Sequence, residues 1–419
     1  MKKLDKLYKK YVEDLVNLGA SDKSVRVALK RAVDAYRKNV SSALARFPGS
    51  AEKAKRGRKI KEYSIDHIDE LVNKACAAIE ENHGHCYIAK TKEDAYEMFE
   101  KLVGEKKLIV KSKSLTSEEI ELRQFLEKKG NKVFETDLGE FITQLLNSRP
   151  MHLLAPAINI PREDVAKLLE NYTGEKVSPE IINEVQKVRE ILREKFCKAD
   201  IGINGANAIS ADTGTMFIIE NEGNARLSVG LPPVQIALIG IEKVVPTLED
   251  AFLISEVTWR YANYKVPAYV NLISGPSKTG DIEKTTTYGA HGPKELYVIF
   301  LDNGRSEMAK DPIMKEALYC MKCGACLYEC PVYHVTAGYY GYRYIGGIGT
   351  IWDAYTTAGM DKIAPIAYTC TLCGRCKTRC PFKIDTPKMI VELRKRLVKM
   401  GNIPPPLRQF YKDVTGKEI

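Results

Sequence analysis

Apolar residues recur at helical spacing near the start of the chain. Leu4, Leu7, Tyr11, Leu15 and Leu18 share one face, and Gly19 closes the run. The same period predicts helices over residues 24–44 and 65–79, with Phe47-Pro48-Gly49-Ser50 as a break between them. From about residue 81 the pattern changes to short apolar runs separated by polar-faced helical stretches. His85–Ala89, Leu108-Ile109-Val110, Val133-Phe134 and His152-Leu153-Leu154-Ala155 read as strands. Thr116-x-x-Glu119 reads as a capping box opening a helix that ends near Gly130. Ser178-Pro179-Glu180 and Thr247-x-x-Asp250 open two more. This alternation predicts an α/β domain with a largely parallel sheet. Met216–Glu220, residues 225–230 and Glu295–Leu301 predict added antiparallel strands.

The pattern divides the chain into a helical basic region over 1–80, an α/β domain over 81–305, a cysteine-rich region over 306–400 and a surface tail over 401–419. A length of 419 residues suits two or three domains. Apolar residues at 44% and charged residues at 28% are those of a globular protein, and no run reaches the eighteen apolar residues of a membrane span. The net charge of +10 is concentrated early: residues 1–60 hold 17 Lys and Arg against 6 Asp and Glu. Lys53, Lys55, Arg56, Arg58 and Lys59 are the densest part. Such a run suits an acidic partner or an anionic membrane surface, or is simply the solvated face of a helix. It lacks the interleaved aromatics or motif of a nucleic-acid site, so no nucleic-acid partner is expected.

Eight of the eleven cysteines form two copies of one pattern. They are Cys320-x2-Cys323-x2-Cys326-x3-Cys330-Pro331 and Cys370-x2-Cys373-x2-Cys376-x3-Cys380-Pro381. This spacing wraps a [4Fe–4S] cluster, and in two-cluster proteins the fourth cysteine ligates the other cluster. The expected sets are therefore Cys320, Cys323, Cys326 and Cys380 for one cluster, and Cys370, Cys373, Cys376 and Cys330 for the second. Two neighbouring clusters mean one-electron transfer. The competing reading is zinc, which takes separated CxxC pairs rather than four cysteines within eleven residues. Disulfides belong mainly to small secreted domains, and no signal-peptide pattern is present. Thiols and clusters together predict a cytoplasmic protein, peripheral to the membrane if the basic region docks there. The 39 residues between Cys330 and Cys370 are long for a compact ferredoxin and resemble the spacers of α-helical ferredoxin modules.

No G-x-G-x-x-G follows a strand, so no flavin or nicotinamide site is expected in this chain. Small-anion binding is expected at Lys111 and Lys113, where a strand ends, and at three turn-forming loops carrying Asp212, Thr213 and Gly214, Ser277 and Thr279, and His291. The alternative is that these residues serve turns and caps. Glu135, Asp137 and Glu140 are candidate acid–base groups or solvated caps. His83-Gly84-His85-Cys86 is a short metal-like cluster or the start of a strand. Cys76 and Cys197 lie in helical runs and read as buried apolar residues. Tyr339, Tyr340, Tyr342 and Tyr344 would shield the clusters or pack the spacer.

Several segments together carry a family likeness. They are Lys111-Ser112-Lys113-Ser114, the helix Glu118-Glu119-Ile120-Glu121-Leu122, Glu135-Thr136-Asp137-Leu138-Gly139-Glu140, Gly202-Ile203-Asn204-Gly205-Ala206-Asn207, Ala211-Asp212-Thr213-Gly214 and Asn221-Glu222-Gly223-Asn224. Gly240-Ile241-Glu242-Lys243 and Asp302-Asn303-Gly304-Arg305 complete the set. In this order, with the two cysteine motifs, the chain resembles the lactate-utilisation iron–sulfur proteins over about residues 60–400. The resemblance implies a lactate-utilisation (LUD) domain with a fold similar to sugar-phosphate isomerases and CoA transferases, joined to a two-cluster ferredoxin domain. It implies an electron-transfer subunit of a lactate or 2-hydroxyacid oxidation complex, the alternatives being a LUD domain that is itself a small-anion, acyl- or phosphosugar-type enzyme with regulatory clusters, or a redox scaffold of a disulfide-reductase or quinone-linked module. Its implied partners are a cysteine-rich redox subunit and a second LUD-type or flavin-containing subunit.

Overall fold

The computed structural model describes residues 2–21, 23–262 and 264–418. Twelve strands follow one another along the chain: β1 (His85–Ala89), β2 (Leu108–Lys111), β3 (Lys132–Glu135), β4 (Ile201–Asn204), β5 (Ala208–Ser210) and β6 (Met216–Glu220), then β7 (Val234–Gly240), β8 (Val244–Val245), β9 (Tyr269–Ile273), β10 (Lys278–Thr279), β11 (Thr287–Tyr288) and β12 (Glu295–Leu301). Six form one sheet in the order β1-β12-β7-β4-β2-β3. Every pairing in it is parallel. β8-β5-β6-β9 form a smaller mixed sheet, and β10-β11 a short hairpin.

A parallel sheet is covered on both faces, so its strands are apolar on both. β12 shows this directly. Val298 and Phe300 enter one core, while Ile299 and Leu301 enter the other, on the opposite face. For that reason the run 295–301 lies parallel between β1 and β7 rather than forming an antiparallel addition.

Three other segments differ from expectation for local reasons. Residues 225–230 form the helix Asn224–Gly230, not a strand, because the Glu220 carboxylate accepts the N–H groups of Ala225 (2.7 Å) and Arg226 (3.1 Å) at its start. His152-Leu153-Leu154-Ala155 is a loop: the buried His152 Nδ1 accepts the N–H of Leu154 at 3.0 Å and folds the chain back on itself. The helix expected from Thr116 starts at Leu115, is capped by Ser114, and breaks where Glu121 adopts a left-handed conformation. Glu119 does not close a capping box, because its carboxylate is bound to Arg305. Thr247 does cap its helix, Leu248–Tyr261, accepting the Asp250 N–H at 3.1 Å.

The amino-terminal helices are Lys2–Asp14, Lys23–Arg46, Ser50–Asp66 and Ile68–Glu81. Pro48 and Gly49 break them as expected, and the basic run lies on the helix Ser50–Asp66, where Lys53, Lys55, Arg56 and Lys59 form a solvated face while Ala54, Gly57 and Lys61 pack inward. Lys53 pairs with Glu256 at 2.5 Å, and Arg58 with Glu316 at 2.8 Å. A Cβ on Gly57 would lie 2.9 Å from the Phe382 ring, so only glycine allows this close approach. Tyr36 and Val40, Met216 and Phe217, and Trp352 and Ile390 share one core, joining amino-terminal, α/β and cysteine-rich regions. The spacer between the cysteine motifs is helical, with Pro331–Thr336, Gly346–Thr356 and Gly359–Thr369, and the tail carries the helix Pro405–Thr415. Among the described residues no helix is long and apolar enough to cross a membrane.

Candidate functional site

The two cysteine loops have one backbone design. The residue before the second cysteine, Lys322 or Leu372, has φ near +58°, and the glycine after it, Gly324 or Gly374, has φ of 74° or 77°. These left-handed residues curl the chain so that three thiols face one point. The fourth cysteine is held extended by the proline that follows, with ψ of 117° at Cys330 and 127° at Cys380. The repeat is thus structural as well as sequential.

The cysteines fall around two cavities. Cys320, Cys323, Cys326 and Cys380 line the first, with Ile348, Trp352 and Phe382 among its walls. Cys330, Cys370, Cys373 and Cys376 line the second, and Cys326 borders it as well. Cys323 is buried, whereas Cys373 is exposed. Burial pushes the Cys323 thiol up to about 12, assisted by its neighbour Cys380, and those of Cys330 and Cys380 to about 11. Backbone N–H groups work the other way, those of Val332 and Tyr333 on Cys330 and those of Phe382, Lys383 and Ile384 on Cys380. The Lys322 N–H donates to Cys320 Sγ at 3.4 Å. All-sulfur, largely buried donor sets with amide support fit iron–sulfur clusters, whose iron supplies the positive charge that thiolates require.

A cleft of about 240 Å3 lies beside the first cavity. Its floor is the carboxyl ends of β2 and β4, where Ser112, Lys113 and Ser114 follow β2 and Gly205, Ala206 and Asn207 follow β4. Gly205 permits this crowding, since a Cβ there would lie 2.6 Å from Ser114 Oγ. Lys243, Trp259, Tyr264 and the cysteine loop itself, Met321-Lys322-Cys323, complete the wall. The α/β domain and the first cysteine cavity therefore meet at one cleft.

Behind this wall lies a fully buried ionic network. Arg305 pairs with Glu119 at 2.7 Å and with Glu242 at 2.6 Å, and none of the three side chains is solvent-exposed. Lys322 reaches Glu242 at 3.5 Å and the Tyr344 hydroxyl at 3.1 Å. Tyr344 donates to Glu119 at 2.5 Å. Burial alone would raise the Glu242 carboxyl, but Arg305, Lys322, Lys243 and Lys61 outweigh it and hold it well below the usual carboxylate range. Burial lowers Lys243 to about 8, with the Lys322 charge adding to the effect.

The remaining expected residues scatter. Lys113 lines the cleft, but Lys111 is buried against Glu135 at 2.8 Å and borders a separate hollow. Glu140 and Asp137 lie near Lys113, with Asp137 capping the helix Leu138–Leu146. Thr213 and Gly214 turn between β5 and β6 against Asn82 and Ile79, and Asp212 accepts the Leu248 N–H. Ser277 packs against Gly292 and binds Pro293, just before β12; Thr279 and His291 belong to the same end of the sheet, opposite the cleft. Cys86 is disulfide-bonded to Cys76, so it is withheld from any metal cluster with His83 and His85, and neither cysteine is a free apolar packing residue. Cys197 is exposed, not buried. Lys243, Trp259, Lys322 and Arg305 escaped notice as site residues. Lys243 and Arg305 each end a segment of the family likeness, and Lys322 sits between two cysteines, which were the available signals.

Residues 72–301 match the LUD domain family, and residues 316–384 match the 4Fe-4S dicluster domain. The lactate utilization protein B 2 of Bacillus mycoides (strain KBAB4) is 33% identical over 404 residues, 96% of this chain and 83% of that protein. The lactate utilization protein B of Bacillus thuringiensis (strain Al Hakam) is 32% identical over the same shares. A solved DUF162 family protein from Deinococcus radiodurans aligns with 56% of this chain and 98% of its own, at 12% identity and a TM-score of 0.32, too distant to bear on the fold. With a LUD domain and an iron–sulfur dicluster domain in this order, and identity above 30% along nearly its whole length, the chain belongs to the lactate utilization protein B family.

Proposed function

We propose that this protein is an iron–sulfur electron-transfer subunit of a cytoplasmic lactate (2-hydroxyacid) oxidation system. In this reading Cys320, Cys323, Cys326 and Cys380 hold one [4Fe–4S] cluster, and Cys330, Cys370, Cys373 and Cys376 a second. The observation that carries it is the arrangement of the two cysteine cavities. They adjoin at Cys326, one abutting the cleft of the α/β domain and the other opening to solvent at Cys373. When bound, the clusters supply one-electron carriers; they offer no hydride acceptor. Residues of this chain supply the rest. Ile348, Trp352 and Phe382 keep water from the inner cavity, and Lys322 ties its loop to the α/β domain.

The two-electron step on substrate is assigned to a second LUD-type or flavin-containing partner, with a cysteine-rich redox subunit completing the system. Exposed Arg375, Lys377, Lys383 and Lys388 lie close to Cys373 in the chain and suit a partner with an acidic docking face. The test is anaerobic purification with bound partners, iron and sulfide analysis, and EPR before and after lactate. About eight irons per chain and a reduced-cluster signal on adding lactate are expected. Full clusters that never respond to lactate in the reconstituted system would refute the lactate reading, and zinc in place of iron would refute both.

A further inference from the structure

The second cysteine cavity holds a buried hydroxyl whose only neighbouring acceptor is sulfur. Tyr340 lines the cavity and is 0% exposed. Its hydroxyl makes no hydrogen bond to oxygen or nitrogen among the described residues. Comparable tyrosines nearby are committed: Tyr333 donates to the Met151 carbonyl at 2.9 Å, Tyr36 to the Tyr261 carbonyl at 2.9 Å, and Tyr344 to Glu119 at 2.5 Å. A buried donor without an acceptor is costly. The group that the Tyr340 hydroxyl faces is the Cys370 sulfur. A Cβ on Gly347 would lie 3.4 Å from Tyr340 Oη and 3.9 Å from Cys370 Sγ, so the two converge on the bare side of that glycine.

A second hydroxyl in the same cavity has the same orientation. Thr386 is 4% exposed, lines the cavity, and turns its hydroxyl to the Cys376 sulfur. It opens the helix Thr386–Lys399, but Asp385 caps that helix by accepting the Lys388 N–H at 3.2 Å. The threonine hydroxyl is therefore not spent on the helix end. The first cavity has no such pair. No serine or threonine lines it, Tyr344 there is bound to Glu119, and its unpartnered donor is the Trp352 indole N–H, on a ring 4.2 Å from the Lys322 ammonium.

We propose that Tyr340 and Thr386 are positioning residues that donate hydrogen bonds to the Cys370 and Cys376 thiolates of the second cluster and so raise its reduction potential. The inference rests on the iron–sulfur reading above and adds the groups of this chain that tune one cluster apart from the other. Reduction adds one electron and breaks no bond. The added negative charge spreads over the sulfurs, so a donor held against a thiolate stabilises the reduced form more than the oxidised one.

The test is EPR-monitored redox titration of the anaerobically purified full-length protein, with iron and sulfide analysis of each variant. Tyr340→Phe keeps the ring and removes the hydroxyl. One of the two reduction steps should fall, the ratio of reduced to oxidised cluster at a fixed potential dropping about 10-fold, which is about 59 mV for one electron. The other step should stay. Thr386→Val should lower the same step, and Thr386→Ser, which keeps a hydroxyl, should hold the wild-type value. Tyr342→Phe, whose ring lines the separate hollow, should move neither step. After exchange into deuterium oxide, electron–nuclear double resonance of the reduced protein should show a deuteron coupling that is weaker in Tyr340→Phe. If Tyr340→Phe loses iron, the Thr386→Val and Thr386→Ser pair decides, and equal potentials in those two would overturn the proposal. About eight irons with both steps unmoved in Tyr340→Phe and Thr386→Val would also overturn it, as would an equal fall of both steps, and either result leaves the iron–sulfur reading standing. Zinc in place of iron would overturn that reading and this proposal together.

Discussion

Arg305→Met is the most severe single test of how the α/β domain is joined to the cysteine-rich region. Arg305 is fully buried, and its guanidinium serves two buried carboxylates, Glu119 and Glu242. Methionine fills similar volume but leaves both acids without their principal counter-charge. Removing one partner of a buried ion pair costs about 3–5 kcal/mol. Here Lys322 still faces Glu242 at 3.5 Å and Tyr344 still donates to Glu119, so a loss near the middle of that range is expected. With a denaturant slope of about 3 kcal/mol per molar or somewhat more, the urea midpoint should fall by about 1 M. Anaerobic urea titration followed by tryptophan fluorescence is a suitable assay, because the chain has two tryptophans, Trp352 lying 5.1 Å from the Arg305 guanidinium and Trp259 in the cleft. The pH dependence carries a second check. In the wild type the depressed Glu242 contributes stability that is full above the unfolded carboxyl value near 4.3 and is lost as pH falls through the lower folded value. In the variant the largest opposing charge is gone and burial pushes the same carboxyl upward. Its cost is then present at neutral pH and shrinks as the solution is acidified. A variant within about 1 kcal/mol of wild type at pH 7.5, or one whose deficit grows on acidification, would refute the reasoning.

Three further outcomes are expected. Cys320→Ser/Cys380→Ser should retain about four irons per chain, since both residues border one cavity, whereas Cys370→Ser/Cys380→Ser should retain almost none; the reverse order of iron contents would overturn the crossed assignment. Asp353, fully buried, accepts the backbone N–H groups of Tyr342, Arg343 and Tyr344. Asp353→Ala should cost about 3 kcal/mol or more in anaerobic unfolding by leaving these donors unmet, and Asp353→Asn clearly less; equal effects would count against the hydrogen-bond explanation. A Cβ at Gly202 would lie 1.8 Å from the Ser228 carbonyl oxygen, so Gly202→Ala must push the helix Asn224–Gly230 off β4, with a loss of about 1–3 kcal/mol or insoluble protein; a stable variant with unchanged Tm would show that this packing yields freely.

The sequence by itself determined the parts whose physics is local. The cysteine spacing carries its own loop geometry, since left-handed glycines after the second cysteine and prolines after the fourth act within a few residues. The apolar runs 108–110 and 133–134 became strands because strand patterning is a nearest-neighbour property. The Thr247 cap formed because its partner lies three residues on. Where distant residues compete, local reading failed. Glu119 could not cap its own helix because Arg305, 186 residues away, holds it. Residues 295–301 could not show from their own pattern that they would lie between β1 and β7. Of the residues expected to bind a small anion, Lys113 alone reached the cleft; Lys111, two residues earlier on the alternating backbone, was claimed by Glu135. Lys243, Trp259 and Lys322 come from three separate stretches of chain, and only the packing of the sheet against the cysteine loop makes them neighbours. Burial is the reason this matters. A lysine in a sequence is an ordinary solvated cation, and only the fold decides which carboxylate it is buried against, Glu135 for Lys111 and Glu140 for Lys113.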